Sequence, residues 1–265
     1  MDCEWSKRTS DFLKMTLAKD YTSVSYALRV EDELVAADAL GWQDQPQQIK
    51  ADERCTYNVA SVSKIYCAAA VMVLVQRGLI DLDTPVVEYV PEFTMLDEDY
   101  KKITVRHLLN HASGLPGTQW KGFSVTALTK RDYDEEVLNY LANSHLKAKP
   151  GEYSVYCNDG FTLAEIVVAR VSGKRYSDFL RENITGPIQA DSTRTIEDRN
   201  PDFPLVHEKA KPAELLLVEG AGGLTTSMID LCKFGQLFLS ENPILSEASK
   251  QEMAKPQGVS FLAQD

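Results

Sequence analysis

Residues 61–76 form the segment that most limits how this chain can fold. Ile65, Ala68, Val71, Met72, Leu74 and Val75 are spread round a helical wheel so that it is apolar nearly all the way round. A helix at a protein surface keeps a polar face, whereas one apolar on every side is buried. The apolar run 65–75 is well short of the roughly 20 residues that cross a bilayer. The segment therefore predicts a central helix inside a soluble core, ended by Gly78 and a turn over 81–85. A chain of 265 residues with 44% apolar and 25% charged residues can bury such a core without disulfide or metal staples. No repeat and no Pro- or Ser-rich linker divides it, so one domain spanning 1–265 is expected.

The remaining pattern is mixed. Segments 23–30 and 34–40 have strand character and are separated by Glu31-Asp32-Glu33, which predicts an antiparallel hairpin. Helices are expected over 11–18, 105–110, 135–141, 162–171, 177–182, 228–239 and 246–253. Asp132, Ser227 and Gly173 stand where caps are needed. The fold class is α+β: a small antiparallel sheet begun by the hairpin, with a large helical region.

Composition excludes several roles. With 28 Lys+Arg against 39 Asp+Glu, the net charge is −11 and the pI about 4.9, so no nucleic-acid or anionic-membrane partner is expected. Five cysteines without a C-x-x-C pair argue against a disulfide framework and for a reducing compartment. The first residues have no apolar stretch like that of a signal peptide, so a cytoplasmic location and no membrane span are expected. His107 and His111 are four apart but have no third ligand at zinc spacing, so packing and helix-end hydrogen bonding are the expected roles and no metal is assigned. Residues 220–223 lack the strand-turn-helix setting of a dinucleotide loop and read as a tight turn; no cofactor is expected. Asn183-Ile184-Thr185 matches a glycosylation sequon, which carries no weight without secretion. Trp5, Trp42 and Trp120 are candidate core residues, and Trp120 alternatively edges a substrate pocket.

Chemistry enters where a lysine interrupts the buried helix. Ser61 precedes Lys64 by three positions, so on a helix the hydroxyl and the amine share a face. A lysine at the start of an apolar helix is costly without partners or a task. Burial lowers a lysine pKa toward the range of a useful base, and a helix N-terminus favours negative charge on an attacking oxygen. Tyr156 and Asn158 flank one residue, so in extended backbone their side chains point the same way. A phenol near an ammonium can act as a base, and an amide can both accept from a lysine and donate to a carbonyl.

These segments together resemble the serine β-lactamase and penicillin-binding-protein-like family, in its class C and esterase-like branch. The resemblance rests on S-V-S-K at 61–64, Y-C-N at 156–158, and the run Ile103-Thr104-Val105-Arg106-His107-Leu108-Leu109-Asn110-His111-Ala112-Ser113-Gly114-Leu115-Pro116. It extends to 78–86 and to Ala221-Gly222-Gly223-Leu224-Thr225-Thr226-Ser227 with Asp230 and Phe234. It implies a β-lactamase/transpeptidase-like fold and a serine hydrolase that acts through an acyl-enzyme on an amide, ester or β-lactam carbonyl. Ser61 would be the nucleophile, Lys64 its activator, Tyr156 a partner in general-base work and Asn158 a substrate-orienting residue. The Ser61 backbone N–H would supply half of the oxyanion hole. Cys157 stands where the family usually has a smaller Ser or Ala, which sets an oxidisable thiol near the site.

One family motif is missing. Residues 223–265 contain neither K-[ST]-G nor H-x-G, the third motif. The expectation is a domain without its C-terminal strands, which leaves room for a companion chain to supply them. The expected partner at the site is a small-molecule or peptide substrate. The competing expectation is a fragment or binding module that keeps the fold without a complete site.

Overall fold

The computed structural model describes residues 4–125, 132–206, 215–257 and 260–261. The chain opens with helix α1 (Glu4–Asp20), which leads into β1 (Ser23–Val30) and β2 (Glu33–Asp44). These two strands form the expected hairpin, in register from Ser23 opposite Gly41 to Val30 opposite Glu33, with a bulge between Leu28 and Arg29. The short β3 (Ile49–Lys50) adds antiparallel to β2. Strand β2 runs four residues past the expected end at 40, with Lys50 Nζ 3.4 Å above the ring of Trp42. Among the described residues β1 pairs with β2 alone.

The chain then enters β4 (Tyr57–Asn58) and a 3-10 turn over Ala60–Val62, and helix α2 (Ser63–Gln76) follows. The expected helix thus begins two residues late, and the reason is local. Ala60 sits at φ +44°, outside right-handed helix space, with its N–H tied to Asn58 Oδ1 at 2.9 Å. The Ser63 hydroxyl accepts the Leu224 N–H at 3.1 Å and caps nothing. As its composition predicts, α2 is buried along most of its length, with Tyr66, Cys67, Ala69, Ala70, Val71 and Leu74 fully inaccessible. Ile65, 46% exposed, and the terminal Gln76 are the exposed residues of the helix.

Around α2 stand α3 (Val105–Leu109), α4 (Tyr133–Ala142), α5 (Asn158–Ser172), α6 (Tyr176–Leu180) and the one-turn α7 (Glu219–Gly222). Then come α8 (Met228–Leu239) and α9 (Glu247–Ala254). Asp132 caps α4, Ser227 caps α8 and Ser246 caps α9, each accepting an N–H three residues on. Gly173 ends α5 at φ +68°, the left-handed conformation that glycine adopts without steric cost. Helix α6 continues into a wider turn over Arg181–Thr185. On the far side of α2, Phe234 of α8 stacks on Tyr66 at 3.6 Å between ring centroids, and α8 also packs on β1.

Short strands tie loops to the helices. β5 (Ser124–Val125) pairs antiparallel with β8 (Leu215–Leu216), and β6 (Tyr153–Ser154) pairs in parallel with β10 (Ser260–Phe261). In the third small sheet, β9 (Leu224–Thr226) lies between β4 and β7 (Arg194–Thr195). The β4–β9 pairing delivers residues 219–223 to the start of α2. The architecture is α+β, as expected.

Candidate active site

Two of the expected boundaries shift in a way that builds the site. Helix α5 was expected from 162, but it starts at Asn158. That extra turn fixes Asn158 at the helix mouth, and Tyr156 lies just before it in extended chain. A loop over 117–119 backs this entry. The Cys157 thiol donates to Gly117 O at 3.1 Å, Asp159 N–H donates to the same carbonyl at 3.2 Å, and Gln119 N–H donates to Asp159 Oδ1 at 2.9 Å. Burial pushes the Asp159 carboxyl up to about 6.

The structure brings all four expected residues together. Ser61 Oγ lies 2.5 Å from Tyr156 Oη and 3.3 Å from Lys64 Nζ. Lys64 is buried at 6% exposure and donates to Asn158 Oδ1 at 2.7 Å and to the Ala221 carbonyl at 2.6 Å. Asn158 Nδ2 donates to Thr118 Oγ1 at 3.0 Å, which fixes the amide so that its oxygen faces the lysine. Ser61 and Tyr156 remain exposed, the latter at 43%, so the hydroxyl pair opens to solvent while the lysine lies behind it. The aromatic faces of Tyr156 and Phe161 stand 4.7 and 5.5 Å from Nζ, soft partners for a buried cation. Beside Lys64 a cavity of about 480 Å³ runs between Ile65, Met72, His111, Phe161 and Phe238.

Three participants were not assigned from sequence. Ala221 contributes through its backbone carbonyl, an atom every residue type has, so no side-chain pattern marks it. Residues 219–222 form one helical turn where a tight turn was expected, and that turn aims the carbonyl at Lys64. Thr118 lies in a loop without periodicity. The third is His111, at φ +60°, whose Nδ1 accepts the Cys157 N–H at 3.1 Å and whose ring lies 4.6 Å from Tyr156. Its signal was in the quoted run 103–116, where it was read as packing. Burial and the nearby Lys64 charge push His111 down to about 4, so it is neutral at physiological pH. His107 accepts the Thr104 N–H through Nδ1 in a capping box. Both rings therefore serve backbone amides, the helix-end role expected of them. Among the described residues no group of three metal-capable side chains converges.

The Cys157 thiol is near the site but buried at 1% exposure, and burial pushes it up to about 11, so it stays protonated and shielded rather than oxidisable. Cys55, Cys67, Cys157 and Cys232 are free. Trp120 is 69% exposed and meets Phe123 edge-on at 5.1 Å, so it is not a core residue; Trp42 is half-buried, and the Trp5 side chain lies outside the described residues. No described helix is long and apolar enough to cross a membrane.

A family model described as Beta-lactamase matches residues 11–263. Penicillin-binding protein 4* of Bacillus subtilis (strain 168) is 23% identical over 241 residues, covering 82% of this chain and 52% of that protein. The putative penicillin-binding protein PbpX of the same organism is 25% identical over 235 residues, covering 84% and 56%. The chain spans about half the length of these curated relatives. Among solved structures, D-amino acid amidase from Ochrobactrum anthropi SV3 superposes with TM-score 0.79 at 23% identity, over 94% of this chain and 74% of that one. The octameric penicillin-binding protein homologue from Pyrococcus abyssi gives 0.77 at 22%, over 96% and 60%. At these identities the superpositions speak for the fold.

Proposed function

Because the chain belongs to the beta-lactamase family, we propose that it is a serine hydrolase forming an acyl-enzyme on Ser61 from an amide, ester or β-lactam carbonyl. The observation that carries this reading is the double approach to one hydroxyl oxygen, by Tyr156 Oη at 2.5 Å and Lys64 Nζ at 3.3 Å. A serine hydroxyl is a weak nucleophile until a base takes its proton. Two N–H bonds of Lys64 are fixed by Asn158 and Ala221, and its remaining tetrahedral position faces Ser61 Oγ. In acylation the free-amine form of Lys64 takes the Oγ proton on Nζ as Oγ attacks the carbonyl carbon. Tyr156 then relays a proton to the leaving atom as the bond from carbonyl carbon to leaving group breaks. In deacylation a water attacks the ester carbon, its proton is relayed through Tyr156 Oη to Ser61 Oγ, and the bond from carbonyl carbon to Oγ breaks. The Ser61 N–H stabilises the developing oxyanion, and Asn158 orients the substrate.

The test is intact mass after exposure to a β-lactam and to an activated ester. An adduct is expected on the wild-type chain and not on Ser61→Ala. Modification that persists in Ser61→Ala, or none on the wild type, overturns the reading.

A further inference from the structure

Helix α7 is a single turn with different contacts on its two sides. On one side the Ala221 carbonyl receives Lys64 Nζ at 2.6 Å. On the other the Gly220 N–H donates to Oε2 of Glu165, a residue of α5 with 1% exposure. A side chain at 220 would break this arrangement: a Cβ there would stand 2.7 Å from the Glu165 oxygen and 3.0 Å from Cys67 Sγ. Glycine at 220 thus lets the carboxyl reach the backbone. A carboxyl so deeply buried, with no cation bonded to it among the described residues, has little structural reason to be there; an apolar side chain would pack at lower cost.

The groups facing Glu165 come from four elements. Asp134 of α4 hydrogen-bonds it, Cys67 of α2 and Tyr176 of α6 lie in its field, and Glu219 belongs to α7 itself. Beyond these, Arg170 faces Asp134, while Glu197 and Arg175 face Glu219. Burial and the neighbouring Asp134 push the Glu165 carboxyl well above the usual carboxylate range. The Glu165 carboxyl thus meets Asp134 of α4 and accepts the Gly220 N–H through Oε2.

We infer that Glu165 is a positioning residue for Lys64: it pins Gly220 so that the Ala221 carbonyl meets Nζ, and Nζ in turn meets Ser61. The chain of contacts runs from α5 through α7 to α2 without a gap. The inference deepens the hydrolase reading and rests on it for its kinetic consequence.

Two variants test it in the full chain. Glu165→Gln keeps an oxygen for Gly220 N–H and an N–H for Asp134, so it mimics the protonated acid. Glu165→Ala removes both. Glu165→Gln is expected to acylate Ser61 within about twofold of wild type, and Glu165→Ala to acylate about ten- to a hundredfold more slowly with unchanged KM, the cost of a displaced base. A second readout does not need turnover. In protein labelled with ¹³C at lysine Cε, the Lys64 chemical shift at fixed pH is expected to move in Glu165→Ala and to match wild type in Glu165→Gln. A folded Glu165→Ala with an unmoved Lys64 chemical shift overturns the inference, as does a Glu165→Gln that behaves like the alanine variant. A wild type that forms no adduct while the Lys64 signal moves as described refutes the hydrolase reading and leaves the positioning role standing.

Discussion

The ring of His111 lies against that of Tyr156, 4.6 Å between centroids, and its Nδ1 holds the backbone N–H of Cys157, the next residue. One neutral imidazole thus fixes both the ring and the main chain of the proposed proton-relay tyrosine. Its neutrality follows from burial and from Lys64, which together hold it down to about 4. In the unfolded chain a histidine takes up its proton near 6.5. The unfolded state therefore binds more protons between these values, and stability is full above about pH 6.5 and is lost as pH falls toward 4. Replacing His111 by Asn, which tolerates φ +60° and offers an amide oxygen to Cys157, removes that titration. Thermal melts across this window are expected to fall more steeply for wild type than for His111→Asn, and parallel curves would contradict the assignment.

Tyr156 carries the shortest contact to Ser61 Oγ, and it does so from the solvent side. Tyr156→Phe keeps the ring against His111 and deletes only the phenol oxygen. Acylation measured by burst kinetics with an activated ester is expected to drop by about 10²–10⁴, the usual range for loss of a general acid or base. Stability should change little, since the hydroxyl is exposed. Unchanged acylation would remove Tyr156 from the mechanism.

Ala60 occupies left-handed space at φ +44°, immediately before the nucleophile. The left-handed region costs an ordinary residue about 1 kcal/mol or more, and a β-branched residue more still. Ala60→Val is expected to destabilise the chain by about 1–2 kcal/mol and slow acylation by tilting the 3-10 turn that carries Ser61. Ala60→Gly should unfold at the same temperature as wild type or a higher one. Chemical denaturation ranks the three, and a valine variant as stable as wild type would show that this backbone is unstrained.

Glu219, next to the glycine pinned by Glu165, is pushed up to about 8, by burial first and then by Asp134. A carboxyl raised above its unfolded value contributes stability that is complete below about pH 4.5 and is lost as pH rises through 8. Glu219→Gln removes this term. Wild type is expected to lose melting temperature between about pH 4.5 and pH 8, and the variant to lose less over the same interval.

Much of the site was legible because its chemistry rests on side-chain spacing. Ser61 and Lys64 share a helix face, Tyr156 and Asn158 flank one residue, and the structure joins both pairs at hydrogen-bonding distance. The apolar wheel of 61–76 likewise gave away the buried helix. What stayed hidden depends on main-chain atoms and on tertiary burial. The Ala221 carbonyl is a backbone acceptor 157 residues from Lys64, so no local pattern reports it. Glu165 occupies a helix position that a sequence reading gives to a solvated acid, and only the packing of α4, α5 and α7 encloses it. The starts of α2 and α5 moved for a related reason. Ser63 bonds to Leu224 across the fold, and the loop at Gly117 holds Cys157 and Asp159 at the entry to α5.

The Lys64 side-chain nitrogen is a meeting point for three stretches of chain that are remote in sequence: its own helix, Asn158 and Ala221, at separations of 94 and 157 residues. None of these stretches can complete the cluster by local folding, because loops of that length must close before the contacts exist. Ser61 reactivity is in consequence a sensor of global assembly. During refolding, labelling of Ser61 should lag behind the recovery of helical signal and coincide with the last tertiary phase. The chain announces that it has found its topology by becoming chemically competent.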